Sequence, residues 1–140
     1  MNIIISRTDN LGDVMLTLPM AGIIKSYHKE SKIFFIGKSY TKSLIENCQY
    51  IDGFIDREQI ISGKTNLTQF NATFIIHVYP DKEIAKAAKN AGIPQRIGTS
   101  HRLFHWKYCN KRINLSRKSS DLHESQLNIK LLAPLGITRN

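Results

Sequence analysis

The chain alternates short apolar runs with stretches whose apolar residues have helical spacing. The apolar runs are rich in β-branched or aromatic residues and are bounded by polar residues or glycine, as in strands that are buried on both faces. They occupy residues 2–6, 32–37, 53–57, 72–79 and 95–100, with a shorter candidate sixth strand at 111–115.

Helical patterns fill the intervals between these runs. They cover residues 13–28, 41–48, 80–92 and 121–136, and a short helical turn is predicted at 66–71. Pro19 lies inside the first pattern, so we expect a kink or a tightened turn there. Gly92 follows the third pattern, where a glycine in left-handed conformation commonly ends a helix. Asp121 and Glu124 have capping-box spacing at the start of the last pattern.

Strands that alternate with helices pair in parallel through crossover helices. The pattern therefore predicts an α/β fold, a Rossmann-like parallel sheet of about six strands with helices on both faces. The 140 residues suit one domain and contain no repeat or linker, so we interpret residues 1–140 as a single unit.

Composition narrows the class of protein. With 41% apolar residues the chain can bury a core. It has no apolar run of about 18 residues that would span a membrane, and its first residues lack the pattern of a signal peptide. Cys48 and Cys109 are far apart and therefore suggest reduced thiols. Together these features predict a cytoplasmic protein.

The charge points to a class of partner. Twenty Lys and Arg residues against eleven Asp and Glu give a net charge of +9. Residues 96–118 carry seven of the cations and no acid. A surplus of this size favours a polyanionic partner, whether nucleic acid, an anionic membrane or a phosphorylated substrate.

A polar loop follows the first strand, where sheets of this kind bind ligands. It places Arg7, Thr8, Asp9, Asn10, Gly12 and Asp13 at the mouth of a predicted site. Gly12 would let the backbone turn tightly, and Asp13 is either a reactive carboxylate or a plain N-cap. The loop lacks the three spaced glycines of a dinucleotide fingerprint and the Gly-Lys-Ser/Thr ending of a P-loop. We therefore expect no nucleotide at this loop.

Three segments carry a resemblance to a known family. They are RTDNLGDVMLTLPMAGIIK (7–25), QRIGTSHR (95–102) and HESQLNIKLLAPLGI (123–137). Together they resemble the amino-terminal half of the lipopolysaccharide heptosyltransferases, which are ADP-heptose-dependent glycosyltransferases of family 9. The resemblance implies a GT-B fold, in which two Rossmann-like domains face a cleft. The first domain holds the sugar acceptor and the second binds the nucleotide sugar.

The resemblance also implies roles for individual residues. Asp13 matches the family's proposed general base, and Thr8, Asn10 and Gly12 would help to bind the acceptor. That acceptor would be a phosphorylated glycolipid of the Kdo–lipid A type, reached from the cytoplasmic face of the inner membrane by peripheral contact. ADP-heptose would bind a second domain that is absent here, so we expect no transfer by this chain alone. We expect no cofactor and no metal.

Cations at three strand ends fit an anionic acceptor. Arg57, Lys82 and Arg102 lie at or just after the ends of the third, fourth and fifth predicted strands. Guanidinium and ammonium groups bind the carboxylates and phosphates that such a glycolipid carries. We therefore predict that these three residues bind the acceptor.

Other functions stay open. The first alternative is a stand-alone basic Rossmann-like module that binds an anionic glycolipid or another polyanion without catalysis. A nucleic-acid binder ranks below it, because residues 101–112 interleave cations and aromatics but match no named nucleic-acid module, and we expect no nucleic-acid partner. His101, His105 and Cys109 have the spacing of one helix face but lack a fourth ligand, so we predict no metal site.

Overall fold

The computed structural model describes residues 1–99, 103–113 and 129–137, without the side chains of Leu103 and His105. Its core is a six-stranded sheet in the order β3-β2-β1-β4-β5-β6, and every neighbouring pair is parallel. The strands are β1 (Asn2–Ser6), β2 (Lys32–Gly37), β3 (Gly53–Asp56), β4 (Phe74–His77), β5 (Gln95–Thr99) and β6 (Lys111–Ile113). The predicted Rossmann-like parallel sheet is confirmed.

The helices are short. They are α1 (Leu11–Thr17), α2 (Pro19–Tyr27), α3 (Lys42–Glu46), α4 (Arg57–Ile61), α5 (Lys82–Asn90) and α6 (Leu103–Tyr108), and single 3-10 turns lie at Ser39–Thr41, Leu67–Phe70 and Ala133–Leu135. The sequence pattern missed α4 and α6, because each has too few residues to show a periodicity. The predicted helix at 121–136 is described only from residue 129, and its proposed capping box lies outside the described residues.

The side chains of the strands supply two cores, one on each face of the sheet. Ile3 and Ile5 of β1 face one hydrophobic cluster, which also includes residues from α1, α2, α3 and the segment 131–137. Ile4 faces a second cluster, which includes residues from α4 and α5. Successive residues of a strand point to opposite faces, so the apolar run of β1 buries both of its sides. This confirms the prediction of helices on both faces.

The first predicted helix is divided. Its pattern placed one helix at 13–28, whereas α1 begins at Leu11 and a new helix begins at Pro19. Proline has no N–H to continue the ladder but suits the first position of a helix. The break therefore falls where the sequence predicted a disturbance. Gly92 likewise has a φ of 72°, the left-handed conformation that was predicted for it after α5.

In the described part of the chain, no helix combines the length and the apolar character that crossing a bilayer requires.

Candidate functional site

A polar cleft of about 630 Å³ opens at the carboxyl ends of the strands. The segments that follow β1, β2, β3 and β4 form its walls, because parallel strands all end at the same side of a sheet. Its lining residues are Thr8, Asp9, Asn10, Lys38, Tyr40, Arg57, Tyr79, Pro80, Asp81, Lys82 and Glu83. Of the predicted site residues, the cleft therefore brings together Thr8, Asn10, Arg57 and Lys82.

The other predicted site residues lie elsewhere. Gly12 and Asp13 lie on the first turn of α1, two and three residues after the cleft residue Asn10. Arg102 lies outside the described residues.

Asn10 is the N-cap of α1. Its side-chain Oδ1 accepts a hydrogen bond from the backbone N–H of Asp13 at 2.9 Å. Because an N-cap satisfies an N–H group that lacks a partner within the helix, Asn10 fixes the point where α1 begins. The interpretation of Asp13 as the N-cap is therefore wrong: Asp13 is the third helical residue, and its carboxylate is not used for capping.

Gly12 does not make a tight turn. It is the second residue of α1, and the glycines with positive φ in the described residues are Gly63, Gly92 and Gly136. A Cβ at Gly12 would meet only Asn10 Oδ1, at an ordinary contact distance of 3.6 Å. The prediction that Gly12 is needed for the turn is therefore wrong, because the helix forms with ordinary backbone angles there. What glycine does provide is an exposed stretch of backbone next to Asp13.

Arg7 joins the two acids of the β1–α1 loop. Its side chain is 6% exposed and makes a two-pronged contact with Asp9, with Nε 2.9 Å from Oδ1 and Nη2 3.2 Å from Oδ2. Nη2 also lies 3.5 Å from Oδ1 of Asp13, and Nη1 donates to Thr17 Oγ1 at 3.2 Å. A planar guanidinium suits this arrangement, because its N–H groups point in several fixed directions. Arg7 thus holds both carboxylates beside the cleft.

Asp9 and Asp13 differ in their surroundings. Burial raises the pKa of Asp9, and the neighbouring Asp13 carboxylate adds to the rise, while Arg7 opposes both. The side chain of Asp13 is 32% exposed, compared with 15% for Asp9. Asp13 is therefore the more exposed of two adjacent carboxylates, although Asp9 is the one that lines the cleft.

A second charged cluster joins three loops at Asp81. Oδ2 of Asp81 accepts hydrogen bonds from Thr8 Oγ1 and from Arg57 Nε, each at 2.6 Å. Arg57 Nη1 also donates to Glu58 Oε1 at 3.0 Å. Burial alone would raise the pKa of Asp81, but the hydrogen bonds from Arg57 and Thr8 outweigh it and hold that pKa below its ordinary value.

This cluster limits what Arg57 and Thr8 can do. Charge-assisted hydrogen bonds of this length are strong, so both side chains are already engaged with Asp81. Their contribution is to hold the loops after β1, β3 and β4 in one arrangement. Arg57 still lines the cleft and keeps 21% of its side chain exposed, which leaves part of its guanidinium accessible.

Two exposed lysines face the cleft from opposite sides. Lys82 is the first residue of α5, and Lys38 directly follows β2. Tyr40 and Tyr79 add exposed aromatic surface, and the Tyr40 hydroxyl donates to the backbone carbonyl of Asp9 at 2.8 Å. Cations beside aromatic rings suit an anionic sugar, since the cations bind its carboxylate or phosphate and the rings pack against its apolar face.

The sequence pattern missed Lys38, Tyr40 and Asp81. A signal for Lys38 existed, because it follows a predicted strand just as Arg57 and Lys82 do. Asp81 lies at the start of the helix predicted at 80–92, and in the structure it is the N-cap of α5, where its side chain accepts from the Ile84 N–H at 3.4 Å. Its pairing with Arg57 joins residues that are 24 positions apart, and no local pattern reveals such a contact.

The described residues contain no group of three His, Cys, Asp or Glu side chains placed to hold a metal ion. Of the three residues considered for zinc, His101 and the side chain of His105 lie outside the described residues. Cys109 is buried, and burial raises the pKa of its thiol to about 12. A thiol of that pKa is a poor nucleophile and a poor metal ligand at neutral pH.

No protein-family model matches the chain. A curated protein of Haemophilus influenzae, provisionally named a glycosyltransferase, is 28% identical in an alignment 140 positions long, which covers 93% of this chain and 39% of that protein. The crystal structure of the family 9 glycosyl transferase of Veillonella parvula is 25% identical with a TM-score of 0.79, over 98% of this chain and 41% of that one. The ADP-heptose lipopolysaccharide heptosyltransferase II of Escherichia coli superposes with a TM-score of 0.80 at 15% identity, over 94% of this chain and 40% of that one.

These similarities confirm the resemblance that the three sequence segments predicted. The chain is similar to glycosyltransferases of family 9, and it has the fold of one half of a GT-B enzyme. At 15% identity, the likeness to the heptosyltransferase shows the fold alone. The chain spans 39% of the length of its curated relative and 41% of the Veillonella enzyme.

Proposed function

We propose that this chain, which resembles the family 9 glycosyltransferases, is the acceptor-binding half of an enzyme that transfers heptose from ADP-heptose to the lipopolysaccharide inner core. The observation that carries the proposal is the position of Asp13 beside the cleft. Its carboxylate lies on the first turn of α1, 3.5 Å from the buried guanidinium of Arg7, and it remains partly exposed. The name of the Escherichia coli structural neighbour, an ADP-heptose lipopolysaccharide heptosyltransferase, supports the choice of donor.

Asp13 acts as a general base in this proposal. It takes the proton of an acceptor hydroxyl while that oxygen forms a bond to the anomeric carbon of the donor. The bond from that carbon to the diphosphate breaks, ADP leaves with the bonding electrons, and the configuration at the carbon inverts. Arg7 orients the Asp13 carboxylate through the 3.5 Å contact between its Nη2 and Asp13 Oδ1. ADP-heptose itself binds to the second half of the enzyme.

The cleft binds the acceptor. Lys38 and Lys82 contact its carboxylate or phosphate groups, and the partly exposed guanidinium of Arg57 adds a third positive charge. Thr8 and Asn10 hold the walls of the cleft, and Gly12 leaves the approach to Asp13 open. An acceptor of the Kdo–lipid A type places the protein at the cytoplasmic face of the inner membrane, in peripheral contact with it. The same cleft would also suit a module that binds the glycolipid without catalysis. Such a module differs from the transferase in one respect: it does not need Asp13 as a general base.

Acceptor binding is tested with this chain alone. The affinity for a Kdo–lipid A analogue in detergent is measured for the wild type and for Lys38→Ala/Lys82→Ala. The double variant should bind at least about tenfold more weakly, because two charge-assisted contacts are lost. Lys29→Ala/Lys64→Ala is the matched control, since both lysines are exposed and neither lines the cleft. Equal weakening of the two double variants would reject the cleft as the acceptor site.

A further inference from the structure

The net positive charge of the chain lies in one segment. Residues 84–120 contain nine Lys and Arg and no Asp or Glu, whereas the rest of the chain contains eleven residues of each sign. The whole net charge of +9 therefore comes from this segment. Its described part includes most of α5 together with β5, α6 and β6, at one side of the sheet. The cleft cations Lys38, Arg57 and Lys82 do not belong to it.

We call Trp106, Lys107, Lys111 and Arg112 the basic edge. Among the described strands, β6 is the outermost one on its side of the sheet, and its residues Lys111 and Arg112 are exposed, as are Trp106 and Lys107 of α6. Within the residues that the structure describes, no carboxylate forms an ion pair with the three cations of this set. Their charges are therefore not neutralised by described neighbours.

Trp106 is the single tryptophan of the chain and is 57% exposed. The guanidinium carbon of Arg112 lies 4.1 Å from the centroid of its ring, and Arg112 Nη1 donates to the Cys109 carbonyl at 3.1 Å. This contact orients the indole at the surface. A tryptophan surrounded by lysine and arginine is the composition found where proteins meet the headgroup region of a bilayer.

The backbone beneath the basic edge is firmly held. Arg96 donates from Nε to the Tyr108 carbonyl at 2.8 Å and from Nη1 to the Ile93 carbonyl at 2.7 Å. Asn110 donates to the Pro94 carbonyl at 2.7 Å and accepts from the Arg96 N–H at 2.7 Å. The backbone at residues 108–110 is thus tied to the start of β5, which reduces the backbone conformational entropy lost on docking.

Two other roles explain the basic edge less well: protection of the sheet edge and binding of nucleic acid. Charged residues on an outer strand prevent edge-to-edge aggregation, which accounts for Lys111 and Arg112 but not for an exposed tryptophan on α6. Single-stranded nucleic acid needs several exposed rings for successive bases. Here Arg112 covers one face of Trp106, and the neighbouring Tyr108 is only 8% exposed. Trp106 is therefore the one ring of the basic edge, which is fewer than a run of stacked bases needs.

We infer that the basic edge docks the protein on an anionic lipid bilayer, with Trp106 at the interface and the three cations against lipid phosphates. The inference rests on the proposed function for its choice of a lipid partner, because a glycolipid acceptor lies in a membrane. Each cation close to an anionic surface adds to the attraction, and physiological salt screens it over about 8 Å. The docking surface is distinct from the cleft and involves neither Asp13 nor the cleft lysines.

The fluorescence of Trp106 can be used to measure docking directly. Vesicles of phosphatidylcholine with phosphatidylglycerol are added to the 140-residue chain, and its tryptophan emission is followed. We expect a blue shift with these vesicles, none with phosphatidylcholine alone, and reversal by added salt. Lys107→Glu/Lys111→Glu should weaken partitioning by at least about tenfold. Lys29→Glu/Lys64→Glu makes the same change in net charge on other exposed loops and should weaken it less than about threefold.

Three results would overturn the inference: equal weakening of both double variants, unchanged Trp106 emission on vesicle-bound protein, or a larger response to a single-stranded oligonucleotide at a lower concentration. Neither donor nor acceptor is present in the experiment, and Asp13→Asn should dock as the wild type does. Loss of docking and loss of transfer are therefore separate outcomes, and either can fail without the other.

Discussion

The guanidinium of Arg57 donates to the carboxylate of Asp81 over 2.6 Å, and this bond joins the ends of two strands that are not neighbours in the sheet. Strands β2 and β1 lie between β3, which precedes Arg57, and β4, which precedes Asp81. Thr8, at the end of β1, donates to the same carboxylate oxygen from between them. One carboxylate thus fixes the spacing of three loops around the cleft.

Asp81→Asn should lower the free energy of unfolding by about 1–3 kcal/mol, because Arg57 loses the partner that offsets its partial burial. Urea unfolding followed by circular dichroism measures the change. Glu83→Gln is the control: Glu83 lines the same cleft but is exposed, so its effect should stay within about 0.5 kcal/mol. Equal effects of the two substitutions would show that the Asp81 cluster does not hold the loops.

The contribution of Asp81 to the stability of the fold should depend on pH. Its folded pKa lies below the ordinary value of 3.8, so it binds fewer protons in the folded state than in the unfolded state. The stabilisation is therefore complete above the ordinary pKa and is lost as the pH falls through the folded pKa. The stability difference between wild type and Asp81→Asn should stay constant from neutral pH to about pH 5 and shrink below that. A difference that is constant throughout would contradict the assigned shift.

The contribution of Asp9 to stability should depend on pH in the opposite direction. Burial raises its pKa above 3.8, so the folded state holds the proton more tightly than the unfolded state. The stability of the wild type relative to Asp9→Asn should therefore rise as the pH falls through the folded pKa toward 3.8. Urea unfolding midpoints of both proteins over this range measure the slope. If this stability difference instead shrinks as the pH falls, as predicted for Asp81, then Arg7 rather than burial has the larger effect on the pKa of Asp9.

The strands could be predicted from the sequence because their composition matches their burial. Ile3, Ile4 and Ile5 are all fully buried, and an uninterrupted apolar run is the pattern of a strand covered on both faces. The end of α5 was predictable for a similar reason, because Gly92 adopts the left-handed conformation that favours glycine. By contrast, α4 has only five residues and is fixed by the Asp56 cap and by Ile60 in the second core.

Gly12→Ala should leave the fold intact and raise stability by about 0.5–1 kcal/mol, because its new methyl group meets no close neighbour and alanine favours a helix. Gly37→Ala is the matched comparison. Its Cβ would lie 2.7 Å from Thr41 Oγ1 and 2.9 Å from Ile45 Cδ1, so it should lower stability by about 1–3 kcal/mol. Thermal unfolding separates the two, and a destabilised Gly12→Ala protein would restore the tight-turn interpretation.

The site was predictable only in part. Residues in the segments that follow the strands could be placed at the cleft, and Arg57 and Lys82 do line it. The pattern does not show which of these side chains are already engaged by others. Arg57 follows a strand in the same way as Lys38, yet Arg57 is bonded to Asp81 whereas Lys38 is exposed. Such pairings join loops that are distant in sequence and depend on the packed sheet.

The role of Asp13 separates a transferase from a binding module. Because Asn10 caps α1 through the backbone N–H of Asp13, Asp13→Asn leaves that hydrogen bond in place. The replacement keeps the size of the side chain, and Asp9 continues to pair with Arg7. Stability should therefore change by no more than about 1 kcal/mol. Asn10→Ala should instead cost about 0.5–2 kcal/mol of stability by removing the cap.

The most direct measurement is the rate of heptose transfer from ADP-heptose to a Kdo–lipid A acceptor, with this chain joined to or co-expressed with a donor-binding half. General-base assistance is typically worth about 10²–10⁴-fold in rate. For Asp13→Asn we predict that kcat falls by about two orders of magnitude or more, while the melting temperature and the acceptor affinity stay close to those of the wild type. An Asp13→Asn protein with full transfer activity would contradict the account.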